Sequence, residues 1–440
     1  MNNPLRCAIA MFYLLVAVTT AAAADRTELP SGIFDYAARA EPVYDWSVVR
    51  THTVRKGRAW HLRLVSQTWQ DVVWEHDLVV CRPQRVVHPN HMLLFVTGGR
   101  NGRSPGPDEL GLGLELANLC GAPVATLHQV PNQPLLGGRV EDDLITETWL
   151  KYLATGDETW PLLFPMVKSA QQAMNALQEF SLTELQQPVE GFVITGGSKR
   201  GWTSWLTPVV DDRVIATAPL VIDTLNFPVQ SQNQLEVWGA YSEQIADYTR
   251  KGLVKRPGDP LSERELRLWK MMDPYTYRSV LTHPKPSTNG PKNREWTVDA
   301  VKFYWDDLEG PKYIRQVPNA GHGLDGGKQG ALRTLAAFFQ HAALDKPLPQ
   351  LQWSHDIIRN QSALTVSTDT TPVAARLWTA TSATRDFRES RWASQDMHRE
   401  TGNYIGAVNR PPDRHVAIYG ELEFHLQNLK YSLTTRVFQE

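Results

Sequence analysis

The segment GFVIT, residues 191–195, runs directly into GGSKRGW, residues 196–202, so a serine stands where an apolar, strand-like stretch meets the start of a helix. That setting is a nucleophile elbow, in which a sharp strand-to-helix turn lifts a serine hydroxyl above a parallel sheet. Ser198 is the expected nucleophile, small Gly196 and Gly197 beside it ease a crowded turn, and the Lys199 backbone N–H, first of the helix, is one expected oxyanion donor. The pattern departs from GxSxG, because Arg200 stands where the second glycine belongs and Gly201 comes one later. A phosphate loop would need GK followed by Ser or Thr, which Gly201-Trp202 does not provide, and a plain helix cap explains none of the surrounding residues. A second oxyanion donor is expected from Gly98 or Gly99, which follow the apolar run HMLLFV, although an ordinary glycine turn has the same composition. His322, between two glycines after the segment KYIRQV, is the expected base and follows the serine, as the chain order of this hydrolase class requires.

The elements needed to position these residues are legible as three patterns. From about 60 to 96, β-branched and apolar runs separated by polar connections predict an opening set of strands. From about 98 to 344, strand and helix signals alternate, with Met166, Ala170, Ala173, Leu177 and Phe180 at helical spacing before GFVIT, which implies a mostly parallel sheet. A helix over 328–343 should follow the histidine loop. Residues 226–282 sit where such folds carry a lid, and Trp238, Tyr241, Tyr248, Trp269 and Tyr275 within it read either as pocket lining or as ordinary packing. Beyond Pro347 and Pro349 the segments ALTVST, AARLWTA, HVAIYGELEF and YSLTTRVF predict an all-β, sandwich-like domain over 350–440. The fold class is therefore α/β, an α/β-hydrolase domain over 25–346 followed by that β domain.

Arg6, the apolar run from Ala8 to Val18 and the small-x-small pair Ala22 and Ala24 read as a signal peptide over 1–24, so export to the periplasm or medium is expected. No later stretch is long and apolar enough to span a membrane. With 45 basic against 47 acidic residues, the formal charge of −2 argues against a nucleic-acid partner. No spacing of His, Cys, Asp and Glu suggests a metal or cofactor: HPNH at 88–91 reads as a polar turn, and Glu141, Asp142 and Asp143 as a solvated, acidic helix start. Cys81 and Cys120 remain after processing, and in an oxidising compartment they could pair or stay free.

Together HQVPNQP (128–134), EDDLITETW (141–149), TWPLLFPMVKSA (159–170), GGSKRGWTSWL (196–206), YWDDL (304–308) and VPNAGHGL (317–324) resemble the PhoPQ-activated pathogenicity-related proteins, from about residue 32 to 392. The resemblance implies an exported α/β-hydrolase-like protein associated with virulence, makes Arg200 an expected residue, and names no substrate. It also implies an aspartate in the loop before the WTVDA segment, where alignment on Asn289, Gly290 and Trp296 places Asn293. An asparagine can orient a histidine but stabilises its cation less, so Glu295 or Asp299 is the alternative acid if the loop is rearranged, against plainer readings as a solvated loop carboxylate and an N-terminal helix charge. The strand before that loop, Lys285-Pro286-Ser287-Thr288, lacks the β-formers expected of a buried strand. Two functions follow: a serine hydrolase acting on an ester or amide bond of a small-molecule or peptide substrate, or an impaired hydrolase scaffold that binds a ligand or partner at the cell envelope.

Overall fold

The computed structural model describes residues 28–54 and 56–440; the segment read as a signal peptide lies outside them. In chain order the first half comprises α1 (Gly32–Ala38), β1 (Asp45–Val54), β2 (Gly57–Trp69), β3 (Val72–Pro83), β4 (His91–Val96), α2 (Pro107–Cys120), β5 (Val124–Leu127), α3 (Glu141–Thr155), α4 (Leu163–Phe180), β6 (Gly191–Gly197), α5 (Lys199–Val210) and β7 (Val214–Leu220). There follow α6 (Phe227–Trp238), α7 (Ala246–Arg250) and α8 (Glu263–Met272) in the segment expected to carry a lid, then β8 (Lys285–Asn289), β9 (Lys312–Gln316) and α9 (Lys328–Ala343). The last ninety or so residues, on the order of one small domain, form β10 (Leu351–Ile358), β11 (Gln361–Thr368), β12 (Ala374–Ser382), β13 (Ala393–Asp396), β14 (His398–Glu400), β15 (Asn403–Asn409), β16 (His415–Leu426), β17 (Leu429–Thr434) and β18 (Phe438–Gln439).

The main sheet runs β1-β2-β3-β5-β4-β6-β7-β8-β9. Strands β1 to β3 pair antiparallel and β3 joins β5 antiparallel, whereas β5, β4, β6, β7, β8 and β9 are parallel throughout. This is the α/β-hydrolase arrangement expected. HMLLFV and GFVIT suit its centre because both faces are covered: Met92, Leu94, Phe192 and Ile194 join the core under α4, while Leu93 and Val193 join the core under α2 and α9. On α4, Met166, Ala170, Ala173, Leu177 and Phe180 are all buried, and the alanines let the helix lie close to α5 and β2.

Two strands differ from expectation. β1 had no alternating pattern to announce it, and its Val48 and Val49 are exposed, because it is an edge strand held by pairing rather than by burial. β8 forms with the sequence KPSTN and every residue buried; Lys285 survives there because its Nζ donates to the carbonyl of Glu309.

The C-terminal strands extend the sheet. β17 meets β9 antiparallel at Thr434 and Ile314, and the order continues β16-β12-β13, with β10-β11-β15-β14 as a second layer. A Cβ on Gly406 would come within 2.9 Å of Leu377, and one on Gly420 within 3.1 Å of Val366, so glycine permits the two layers to touch. Leu364, Val366, Ile418 and Leu422 share one core with Leu335, Phe338 and Phe339 of α9. Arg315 on β9 bonds Glu421 on β16 at 2.7 Å in a buried ion pair across that junction.

Candidate active site

Ser198 lies between β6 and α5 with φ 58° and ψ −127°, a left-handed-side conformation costly for any residue with a Cβ. Its N–H donates to Leu220 O on β7 at 2.9 Å, and its carbonyl accepts from Trp202, so both ends of the strained residue are tied. Two glycines make the turn possible. A Cβ on Gly196 would lie 2.6 Å from the carbonyl oxygen of Arg200, and one on Gly201 2.5 Å from Ile222 Cγ2 and 2.9 Å from Gly196 O. The close approach of helix to strand is therefore made at 201, not 200. Gly197, expected to relieve crowding, does not: the nearest atom to its added Cβ is 4.0 Å away.

Arg200 uses the position differently. Buried, it donates through Nη1 and Nη2 to the two oxygens of Glu141 at 2.7 Å each, and through Nε to Val130 O. Gln133 donates to the same carboxylate at 2.6 Å and accepts from the Glu141 N–H at 2.9 Å. Burial alone would raise the Glu141 pKa; the hydrogen bonds and charge of Arg200 bring it down to about 2. Asp142 holds Lys199 at 2.6 Å and accepts from Tyr248 at 3.1 Å, while Asp143 pairs with Lys251 at 2.6 Å. The acidic start of α3 is thus no solvated helix end: Glu141 and Asp142 fix the two residues that follow Ser198. Sequence spacing could not reveal this, since the partners are some sixty residues apart in the chain, about 59 in the case of Glu141 and Arg200.

The register of β4 on β6 sets Val96 beside Gly196, so the loop from Thr97 leaves the sheet alongside the serine turn. Gly98 makes room for Arg200, whose Nη2 would lie 2.6 Å from an added Cβ, and Gly99 has φ 135°. Their carbonyls accept from Gln129 N at 2.9 Å and Gln133 Nε2 at 3.0 Å, while their amides, like that of Lys199, donate to no acceptor among the described residues. Gly98 therefore has a packing reason to be glycine.

His322 follows β9, and Asn293 and Glu295 follow β8, on the same edge of the parallel sheet as Ser198. The two loops are pinned together: Lys292 N donates to Ala320 O at 3.0 Å, Val317 N to Asn289 O at 2.8 Å, and an added Cβ on Gly290 would sit 2.3 Å from Ala320 O. The partly exposed His322 ring presents Nδ1 to Asn293 Nδ2 at 3.3 Å and to Glu295 Oε1 at 3.4 Å. Asp299 is bonded to Lys302 at 2.6 Å and makes no hydrogen bond or ion pair with His322 among the described residues. Burial lowers the His322 pKa to about 4, helped by the Lys199 charge, and burial raises Glu295 to about 7, against the pull of Lys199 and with the push of Asp142. Lys199 thus acts on both, which places serine turn, histidine and carboxylate in one electrostatic neighbourhood. Among the described residues no hydrogen bond joins Ser198 Oγ to His322.

The aromatics of residues 226–282 mostly pack. Tyr248 and Trp269 meet Trp149 edge-on, and Trp238 lies under Arg388; Trp269, with Phe227, Leu253 and Val254, also lines a cleft of about 290 Å³. His88 packs on Phe339, and Cys81 and Cys120 are buried free thiols, so the possible disulfide is not formed. Among the described residues no helix is long and apolar enough to cross a membrane.

Comparison with known proteins agrees with this architecture. The family model of the PhoPQ-activated pathogenicity-related proteins matches residues 33–388. Autocrine proliferation repressor protein A of Dictyostelium discoideum is 31% identical over 376 residues, 80% of this chain and 75% of that one. Among solved structures, the acetyl xylan esterase from Paenibacillus sp. R4 superposes with a TM-score of 0.50 over 70% of this chain and 92% of its own, at 13% identity, a likeness of fold alone.

Proposed function

The chain belongs to the PhoPQ-activated pathogenicity-related protein family, and on that premise we propose that it is an exported serine hydrolase cleaving an ester- or amide-type acyl bond. The observation that carries this reading is the strained Ser198, held at φ 58° on the sheet edge that also bears His322. In the first step Ser198 Oγ bonds to the acyl carbon as His322 Nε2 takes the hydroxyl proton. The carbonyl π electrons move onto oxygen, toward Lys199 N–H and the N–H of Gly98 or Gly99. Collapse expels the alcohol or amine, which receives the proton from His322, and water repeats the sequence to release the acid and restore the serine. Export rests on the leading segment, and the autocrine character in the name of the Dictyostelium relative accords with it.

The test is labelling of the mature protein with a fluorophosphonate, in which Ser198 Oγ bonds to phosphorus and fluoride leaves, read by intact mass. One label per chain, lost in Ser198→Ala and at least ~100-fold slower in His322→Ala, is the expected result. Labelling that survives Ser198→Ala overturns it. A second reading, a binding protein on an impaired scaffold, is favoured by one observation, the amide of Asn293 facing Nδ1 of His322. Under that reading the unchanged chain does not label.

A further inference from the structure

We propose that Glu295, not the Asn293 that stands at the expected acid position, is the positioning residue that makes His322 a base, and that the Asn293 amide holds the imidazole in the opposite tautomer while Glu295 is protonated. Its catalytic consequence rests on the hydrolase reading above; the tautomer itself is a property of the resting protein.

The argument begins with the direction of one amide. Asn293 Oδ1 accepts the backbone N–H of Glu295 at 3.0 Å, so the amide cannot be flipped without setting NH₂ against N–H. The atom 3.3 Å from His322 Nδ1 is therefore Nδ2, a donor that carries no lone pair for hydrogen bonding. A donor at Nδ1 requires Nδ1 to accept, which leaves the ring proton on Nε2. An imidazole in that state cannot take the Ser198 proton, the reason an Asp-to-Asn change in the serine-protease triad costs about 10⁴ in kcat.

Glu295 offers the reverse. Its Oε1 is 3.4 Å from the same Nδ1, and as a carboxylate it can only accept, so ionisation draws the proton to Nδ1 and frees the Nε2 lone pair. As a neutral acid it can donate to Nδ1, and then agrees with Asn293. The backbone of Glu295 is fixed from both sides, its N–H by Asn293 Oδ1 and its carbonyl by Gln234 Nε2 of α6 at 2.9 Å. The charged and titratable groups facing the carboxyl are Lys199 from α5, Asp142 from α3, Tyr248 from α7 and His322 itself. Burial moves its titration up to about 7, while burial keeps His322 uncharged down to about 4. Both directions favour a neutral ring beside a neutral carboxyl in mild acid, while in alkali the ionised carboxylate favours a proton on Nδ1.

The experiment is two-bond ¹H–¹⁵N correlation on the mature chain carrying ¹⁵N-histidine, with His322→Ala to assign the ring, at about pH 5.5 and about pH 8.5, on either side of the physiological histidine range. The expected result is Nε2–H in the acid sample and Nδ1–H in the alkaline one. Glu295→Gln stays Nε2–H in both, with fluorophosphonate labelling in alkali slowed by ~100-fold or more; Asn293→Ala reaches Nδ1–H at lower pH. A tautomer that is the same in both samples of the unchanged chain, or that still switches in Glu295→Gln, overturns the inference. If the tautomer switches as expected and no variant labels, the pairing stands and the hydrolase reading fails.

Discussion

The serine turn and the histidine support lie on one sheet edge but are held in different ways. Residues 191–202 form the turn as one continuous piece of chain, with glycines at Gly196 and Gly201 where no Cβ fits and with both following side chains locked in ion pairs. The histidine is placed by two loops pinned backbone to backbone, and its Nδ1 is contested by Asn293 and Glu295 at nearly equal distance. The first region is held by close packing and ion pairs; the second is decided by where one proton sits. On the hydrolase reading proposed above, geometry for attack and readiness to move a proton are separable.

That contrast can be broken at the serine turn. Arg200→Met leaves the half-buried Glu141 carboxylate without its partner, a loss between that of an exposed and of a buried ion pair, roughly 2–3 kcal/mol; urea unfolding should show a lower midpoint, together with slower labelling of Ser198. Gly290→Ala attacks the other region by driving a methyl into Ala320 O. About 1–3 kcal/mol is expected from such overpacking, with labelling reduced because the His322 loop must move. An unchanged labelling rate in that variant would mean the loops are not coupled as described.

Lys285 offers a pH test of the weak strand β8. Burial first, and then the neighbouring Lys312 charge, push its folded pKa down to about 7. The unfolded chain holds that proton up to the ordinary lysine range, so stability from this group is present above about pH 10.4, is lost as pH falls, and is gone below about pH 7. Lys285→Met should therefore stabilise most near neutrality and progressively less toward pH 10, read as the difference in unfolding free energy between the two chains. A difference that does not vary with pH would show that Lys285 stays charged in the fold. The smallest effect is expected at Gly197→Ala, within about 0.5 kcal/mol, because its Cβ meets nothing closer than 4.0 Å; a large loss of stability there would show that the turn is tighter than its neighbours indicate.

Much of the fold was legible because its signals are local. GFVIT and HMLLFV read as buried strands, and the helix expected over 328–343 is α9 with those bounds. β1 was not, since pairing with β2 holds it without an apolar face. The role of Glu141 and Asp142 also escaped, because a carboxylate at a helix start looks the same whether water or a buried guanidinium answers it. Asn293 stands 3.3 Å from His322, but the direction of its amide, set by the Glu295 N–H, was not legible in the sequence.

Chain pattern alone determined the α/β-hydrolase fold class, the strand-to-helix turn at Ser198 and the order in which serine and histidine occur, since hydrophobic period, glycine spacing and strand-to-helix transitions are properties of neighbours in sequence. Only the folded chain decided that Arg200 answers Glu141, that the last strands continue the main sheet, and that two side chains compete for one ring nitrogen. Those outcomes depend on charges and hydrogen bonds meeting across long stretches of chain, where direction and burial, not residue type, set the energy.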